Sequence, residues 1–136
     1  MPLSQLERSK YYRGLLVLAG RDRVIDRRER ELMLQIGGLL DFDRRFCEAA
    51  VDDLLRNSHI KTKPAVFSDL STAECFLLDA IRLATVDREF HPNELAWLRS
   101  VAEANGLSIE WFDDAVRRAE EKEKPGQSTI AIQKLL

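Results

Sequence analysis

Apolar residues recur every three or four positions along most of this chain, and that spacing predicts amphipathic helices rather than strands. In the first such stretch, from about Leu3 to Ala19, the apolar positions become denser toward the end. The later stretches are separated by polar or glycine-containing breaks. The pattern predicts six helices, at about 3–19, 26–40, 43–57, 71–84, 92–104 and 108–122, and a short last helix within 128–136.

Several of these helices begin or end with residues typical of helix caps. Asp26–Glu29 and Ser71–Glu74 have the form of capping boxes, in which the first side chain accepts a hydrogen bond from the amide three residues on. Pro92 suits a first helical position, and Gly106 suits the residue just after a helix. The pair Gly37-Gly38 costs helix propensity, so it indicates either close approach of a neighbouring helix or an early helix end.

The fourth stretch is apolar around most of its circumference, which is typical of a central helix. We expect it to pack with the first helix in the middle of the fold. Its apolar residues are Phe76, Leu77, Leu78, Ala80, Ile81, Leu83 and Ala84.

The domain organisation follows from one long break. Residues 58–70 contain Pro64 and no helical period, so they are predicted to link two halves. The 136 residues fit a single domain. We expect a first repeat at about 3–57, the linker at 58–70, a second repeat at about 71–122 and a tail at 123–136.

The two halves resemble each other when the sequence is shifted by 65 residues. Apolar core positions stay in register, as when Leu32 meets Trp97 and Ile36 meets Val101. Identical residues also align, among them Leu18 with Leu83, Asp22 with Asp87, Glu29 with Glu94 and Val51 with Val116. The pattern predicts a duplicated helix-loop-helix unit whose copies pack about a pseudo-twofold axis.

Composition and charge limit the classes of partner that the chain is expected to bind. The formal net charge of −2 is too small to steer the whole molecule toward nucleic acid or anionic lipid. Basic residues are concentrated only within Arg21–Arg30, where acids alternate with Arg21, Arg23, Arg27, Arg28 and Arg30. This stretch is interpreted as a helix surface with ion pairs, and the alternative is a nucleic-acid contact.

The cysteines and the length of the apolar runs indicate the cellular compartment of the protein. Cys47 and Cys75 lie in apolar helical surroundings without the spacing of a metal or redox motif, so we expect them to be buried thiols of a cytoplasmic protein. No apolar run approaches the length of a membrane span, and the first residues lack the apolar core of a signal peptide.

Two bends between helices carry the candidate chemistry. Each has an Asp, an apolar residue three positions on and a Glu seven positions on. The acidic side chains are oxygen ligands of the kind that Ca²⁺ and Mg²⁺ prefer. The competing interpretation is structural, because an Asp after a helix and a Glu at the third helical position also satisfy backbone amides. The predicted metal ligands are Asp22, Asp26 and Glu29 in the first bend and Asp87, His91 and Glu94 in the second.

Both bends resemble a known family. The form Ala-x-x-Asp-Gly-x-Ile-x-x-x-Glu between two helices, occurring twice in an all-α domain, is similar to the tellurite-resistance TerB-like family, which includes the N-terminal domain of DjlA-type membrane co-chaperones. The resemblance implies a pseudo-symmetric helical fold, a role in stress responses and membrane-linked complexes, and an acidic metal site. Arg23 and Arg88 stand where the family has Gly, which places a cation beside the predicted ligands. The pattern is carried by Ala19, Asp22, Ile25 and Glu29, and by Ala84, Asp87, Phe90 and Glu94.

The sequence therefore favours a non-enzymatic interaction or sensing domain with a protein partner, and a divalent cation as its only indicated cofactor. It has no phosphate-binding loop or zinc-ligand spacing. His59 and His91 stand where surface or capping histidines are usual. The alternatives are a nucleic-acid-binding module that uses Arg21–Arg30 and an uncharacterised hydrolase.

Overall fold

The computed structural model describes residues 3–19, 27–56, 64–85, 92–121 and 130–136. Within these ranges the chain has no strand, so the predicted all-α class is confirmed. No helix in this described part is long and apolar enough to cross a membrane. The elements are α1 (Gln5–Ala19), α2 (Arg27–Leu39), α3 (Arg44–Arg56), α4 (Leu70–Thr85), α5 (Pro92–Ala104), α6 (Ile109–Glu121) and a 3-10 helix (Ala131–Leu135).

Helix α4 is the centre of the fold, as its wide apolar surface predicts. It packs against α1, α2, α5, α6 and the C-terminal 3-10 helix. More than one face of α4 is buried, because Leu77 lies on a different side of the helix from Phe76 and Ala80, and all three are excluded from solvent. Helix α1 packs against α2, α3 and α4. The α1–α4 contact therefore joins the two halves of the chain.

The bounds of the helices follow the 65-residue shift. Both ends of α2 and α5, and both ends of α3 and α6, differ by 65 residues, and so do the starts of α1 and α4. Core positions obey the same shift, because Met33 and Leu98 are both fully buried and so are Ile36 and Val101. The two halves therefore use one order of helices and one register of core residues.

Helices α2 and α5 also end in the same way. Phe42 N–H donates to the Gly37 carbonyl and Leu107 N–H to the Ala102 carbonyl, both at 2.9 Å. The residue before each donor has a positive φ, 67° at Asp41 and 78° at Gly106. This is the Schellman arrangement, in which a left-handed residue lets the next amide satisfy a carbonyl of the last turn. It confirms Gly106 as the predicted end signal of α5.

The predicted start of α4 was wrong. Ser71 was expected to cap this helix, but the helix begins at Leu70 and its cap is Asp69, whose Oδ1 accepts from Thr72 N–H at 2.7 Å. The cap is fixed by the preceding segment, since Phe67 N–H donates to Asn105 Oδ1 at 2.9 Å. Helix α4 consequently begins one residue before the predicted start at 71.

The glycine pair in α2 has two different roles. A Cβ atom at Gly37 would overlap the Cys47 Sγ of α3 and would lie 3.1 Å from the Tyr12 hydroxyl oxygen. Nothing lies within 4 Å of a Cβ at Gly38. Close approach of neighbouring helices, the first of the two interpretations, therefore holds for Gly37.

One large apolar residue of α3 is at the surface. Phe46 is 54% exposed, whereas the adjacent Cys47 is buried. The Phe46 ring packs against that of Phe42, and the two ring centroids are 5.5 Å apart. Helix α3 packs against α1 and α2, and Cys47 and Val51 are buried among the side chains of α3 that the structure describes.

Candidate functional site

Two of the six predicted metal ligands, Glu29 and Glu94, lie in the described part of the structure. Each is the third residue of its helix, α2 or α5. Their exposed fractions are 6% and 5%, which is unusual for glutamate. Each of these residues takes part in a polar or electrostatic interaction. A carboxylate at this position also interacts favourably with the positive end of the helix dipole.

The other four predicted ligands, Asp22, Asp26, Asp87 and His91, lie outside the described residues. Among the residues that the structure does describe, no three Asp, Glu, His or Cys side chains form a group suited to a metal ion. The neighbours of α5, which are α4 and α6, correspond under the 65-residue shift to two neighbours of α2, which are α1 and α3. Helix α2 packs in addition against α4 and the 3-10 helix. The described residues thus show one buried carboxylate at the edge of each predicted bend.

The described arginines of the basic stretch include two that pair with nearby acids. Arg27 Nε is 3.1 Å from Glu31 Oε1 on the next turn of α2. Arg30 Nη1 is 2.9 Å from Asp52 Oδ1 on α3. These pairs reduce the local positive field and agree with the interpretation of this stretch as an ion-paired surface.

Sequence reasoning missed a buried carboxylate in α1. Glu7 Oε1 accepts hydrogen bonds from the backbone N–H and the hydroxyl of Ser68, both at 2.6 Å. Lys10 Nζ is 3.4 Å from Glu7 Oε2. Burial acts to raise the pKa of Glu7, but the bonds from Ser68 and the charge of Lys10 outweigh it and lower the pKa. Glu7 thereby ties α1 to the segment that precedes α4.

A second missed carboxylate, Asp79, lies at the centre of the fold. Its exposed fraction is 1%. It accepts a hydrogen bond from the Tyr11 hydroxyl at 2.5 Å, from Ala131 N–H at 2.6 Å and from Ile132 N–H at 3.1 Å. Burial raises the pKa of Asp79, although these donors and Arg82 act in the opposite direction. The sequence did hold a signal for this residue, an acid within the apolar run of α4.

The contact between α1 and α4 is reciprocal under the 65-residue shift. Tyr11 of α1 contacts Asp79 of α4 through its hydroxyl. The counterparts of these two residues are Phe76 and Gly14, and they also meet, because a Cβ atom on Gly14 would lie 2.6 Å from the Phe76 ring. Exchanging each residue of the Tyr11–Asp79 contact for its counterpart in the other half therefore gives the Phe76–Gly14 contact.

Comparison with protein-family models, with curated proteins and with solved structures finds no match for this chain. The similarity of the bends to the TerB-like family remains a prediction from sequence. Its described positions are Ala19 and Glu29 in the first bend and Ala84 and Glu94 in the second. All four are buried, so the helical flanks of both bends face the core.

Proposed function

We propose that this chain is a non-enzymatic interaction or sensing domain of the TerB-like type, and that its two acidic bends bind a divalent cation. One observation carries the proposal, the burial of Glu29 and Glu94 at equivalent positions of α2 and α5. A buried carboxylate is costly unless it is paired or coordinated. Both halves have a buried glutamate at the same position. This indicates that the glutamate has the same role in each copy of the helix-loop-helix unit.

The duplication is part of the proposal, and the reciprocal α1–α4 contact supports it. In a twofold interface, residue i of one copy contacts residue j of the other, and j contacts i in return. The pairs Tyr11–Asp79 and Phe76–Gly14 have this relationship. The shared bounds of the helices and the shared Schellman ends are further support. We infer two copies of a three-helix unit packed about an approximate dyad through α1 and α4.

The carboxylates of each bend suit a hard cation, and His91 would add one nitrogen donor in the second bend. Glu29 would join Asp22 and Asp26, and Glu94 would join Asp87 and His91. Carboxylate oxygens are the preferred ligands of Ca²⁺ and Mg²⁺. The competing role is purely structural, with both glutamates satisfying amides at the start of their helices. These roles differ in a measurable way, because only the first couples folding stability to the concentration of a metal ion.

The test is calorimetric titration of the full chain with Ca²⁺ and Mg²⁺. We expect binding heat for the parent, a loss of about half the sites in Glu29→Gln and in Glu94→Gln, and similar losses in Asp22→Ala and Asp87→Ala. Glu31→Gln is the matched control, since this exposed glutamate of α2 pairs with Arg27 on the surface. A parent that releases no heat and gains no thermal stability with either ion would leave only the capping role.

The interaction role would involve a protein partner in a stress pathway or a membrane-linked complex, as the resemblance implies. The ion pairs of Arg27 and Arg30 favour this role over nucleic-acid binding. A gel shift with nonspecific DNA at low salt distinguishes the two. We expect no shift for the parent chain, because phosphate binding would have to overcome the interleaved acids.

A further inference from the structure

The segment Ile130–Leu136 packs against α4, where its backbone is bound by one buried side chain, Asp79. The backbone N–H groups of Ala131 and Ile132 donate to the two carboxylate oxygens of Asp79, at 2.6 and 3.1 Å. Ile132 has an exposed fraction of 0%, so its side chain is inserted into the core. We call Ile130–Leu136 the strap.

The strap has little structure of its own to hold it in place. Its 3-10 helix has only five residues, and the backbone bonds at its two ends run from Gln133 N–H to the Ile130 carbonyl and from Leu136 N–H to the Gln133 carbonyl. Such short 3-10 helices are not stable alone. The order of the strap therefore depends on its docking to Asp79 and to the core.

The strap also lies outside the pattern that the two halves share. The counterpart of Asp79 under the 65-residue shift is Gly14, where the Phe76 ring leaves no room for a side chain. In the first half, the position that corresponds to Asp79 is therefore an uncharged glycine packed against an aromatic ring. Burying a carboxylate in α4 costs free energy. The strap amides are two of its three described hydrogen-bond donors, so receiving the strap accounts for most of its bonding.

We propose that the strap is releasable as a unit, and that the α4 face beneath it is a docking site for a peptide with the strap's own pattern. Such a peptide offers two successive backbone N–H groups to Asp79 and inserts an isoleucine side chain. The strap is the intramolecular occupant, and an external peptide binds in proportion to the fraction of molecules whose strap is open. This proposal goes beyond the acidic bends and stands even if those bends bind no ion.

The two cysteines provide a readout of strap release in the full chain. Cys75 is buried one helical turn before Asp79 on the same side of α4. Burial and the nearby Asp79 raise the pKa of the Cys75 thiol to about 11, while Lys134 of the strap acts to lower it. Cys47 is buried on α3, with its sulfur beside Gly37 of α2, and is the internal control. Strap release should therefore speed thiol labelling at Cys75 alone.

The first experiment measures labelling rates of both thiols in three full-length variants. In Ile132→Ala we expect the Cys75 rate to rise by about 30-fold or more, because the buried anchor of the strap is truncated. In Ala131→Pro, which removes one N–H donor to Asp79, we expect a rise of about tenfold. Gln133→Ala changes an exposed strap residue and should leave both rates unchanged. The Cys47 rate should stay at the parent value in all three.

The second experiment tests docking in trans. A synthetic peptide with the sequence of residues 128–136 is added to the Ile132→Ala chain, and the Cys75 rate should return toward the parent value. The same peptide with Ile132→Asp is the control and should give no protection. Equal acceleration of both cysteines in the variants, no acceleration of Cys75, or no protection by the peptide would each overturn the proposal.

Discussion

The Tyr11 hydroxyl donates a 2.5 Å hydrogen bond to the Asp79 carboxylate across the contact between α1 and α4. Both residues are almost completely excluded from solvent. The bond therefore links the two halves of the chain inside the core, where an unsatisfied polar group is costly. Burial and the negative charge of Asp79 raise the pKa of Tyr11 far above its ordinary value, so the phenol stays a donor throughout the physiological range.

Removing this donor should destabilise the protein without opening a large cavity. We expect Tyr11→Phe to lower the free energy of unfolding by about 1–3 kcal/mol, the usual cost of losing a hydrogen bond to a buried charged group. Urea denaturation followed by circular dichroism measures it. Tyr12→Phe is a useful comparison, because the Tyr12 hydroxyl donates to the neutral Met33 carbonyl at 3.0 Å and should contribute about 1 kcal/mol. A larger effect at Tyr12 than at Tyr11 would contradict this ranking.

The stability contributed by Glu7 should depend on pH. Its pKa in the folded protein is below the ordinary value of 4.5, so the ionised form stabilises the fold. This contribution is fully present above the unfolded pKa and is lost as the pH falls through the folded pKa. We expect Glu7→Gln to be less stable than the parent at pH 7 by about 1–2 kcal/mol, with the difference shrinking below pH 4.5. Denaturant titrations from pH 7 to pH 3 measure the difference.

The control for this prediction is Glu31→Gln, which removes a surface ion pair with Arg27. Exposed pairs of this kind contribute little, so its stability should stay close to that of the parent across the same range. A parent and a Glu7→Gln variant separated by the same free energy at every pH would show that the pKa of Glu7 is the same in the folded and unfolded states, which would contradict its lowering in the fold.

Adjacent glycines in α2 should respond to alanine in opposite ways. Gly37→Ala places a methyl group against the Cys47 sulfur and the Tyr12 ring, so we expect a loss of about 1–3 kcal/mol from overpacking. Gly38→Ala adds its methyl in open space and should gain about 0.5–1 kcal/mol from helix propensity. Thermal unfolding of the two variants checks the sign of each change. The same sign for both would contradict the packing at Gly37.

The two positive-φ positions provide a second matched pair. Gly106→Asp forces a side chain into the left-handed region at φ 78° and should cost about 1 kcal/mol. Asp41→Gly relieves the same strain at φ 67° and should be neutral or slightly stabilising, since the ion pair of Asp41 with Arg8 is exposed on its acidic side. Denaturation midpoints of both variants, compared with the parent, measure the effects. A strong loss for Asp41→Gly would indicate that the Arg8 pair matters more than the backbone.

Most of the helices could be predicted from sequence, because their signals lie within a few residues. The period of apolar residues placed α2 and α5. The start predicted for the sixth helix, at about 108, agrees with α6, because Ser108 caps this helix and its Oγ accepts from Trp111 N–H at 3.1 Å. The start of α4, in contrast, was predicted wrongly, because Asp69 and Ser71 are both good helix caps. The choice between them depends on contacts of Phe67 and Ser68 with distant residues.

The candidate site was predicted only in part, for a related reason. Glu29 and Glu94 were selected for their spacing, and their burial at equivalent positions of two helices could not be read from it. Asp79 was overlooked because its three described donors, Tyr11, Ala131 and Ile132, lie more than fifty residues away along the chain. No local pattern contains such partners.

The sequence by itself determined the helical class, the order and bounds of most helices and the 65-residue correspondence of the halves, because apolar period and caps act over one or two turns. Tertiary structure decided which face of each helix is buried, which glycine of α2 contacts a neighbouring helix and where the strap docks. Those outcomes depend on close packing and on satisfying buried polar groups, and both are set by residues that meet only after the chain has folded.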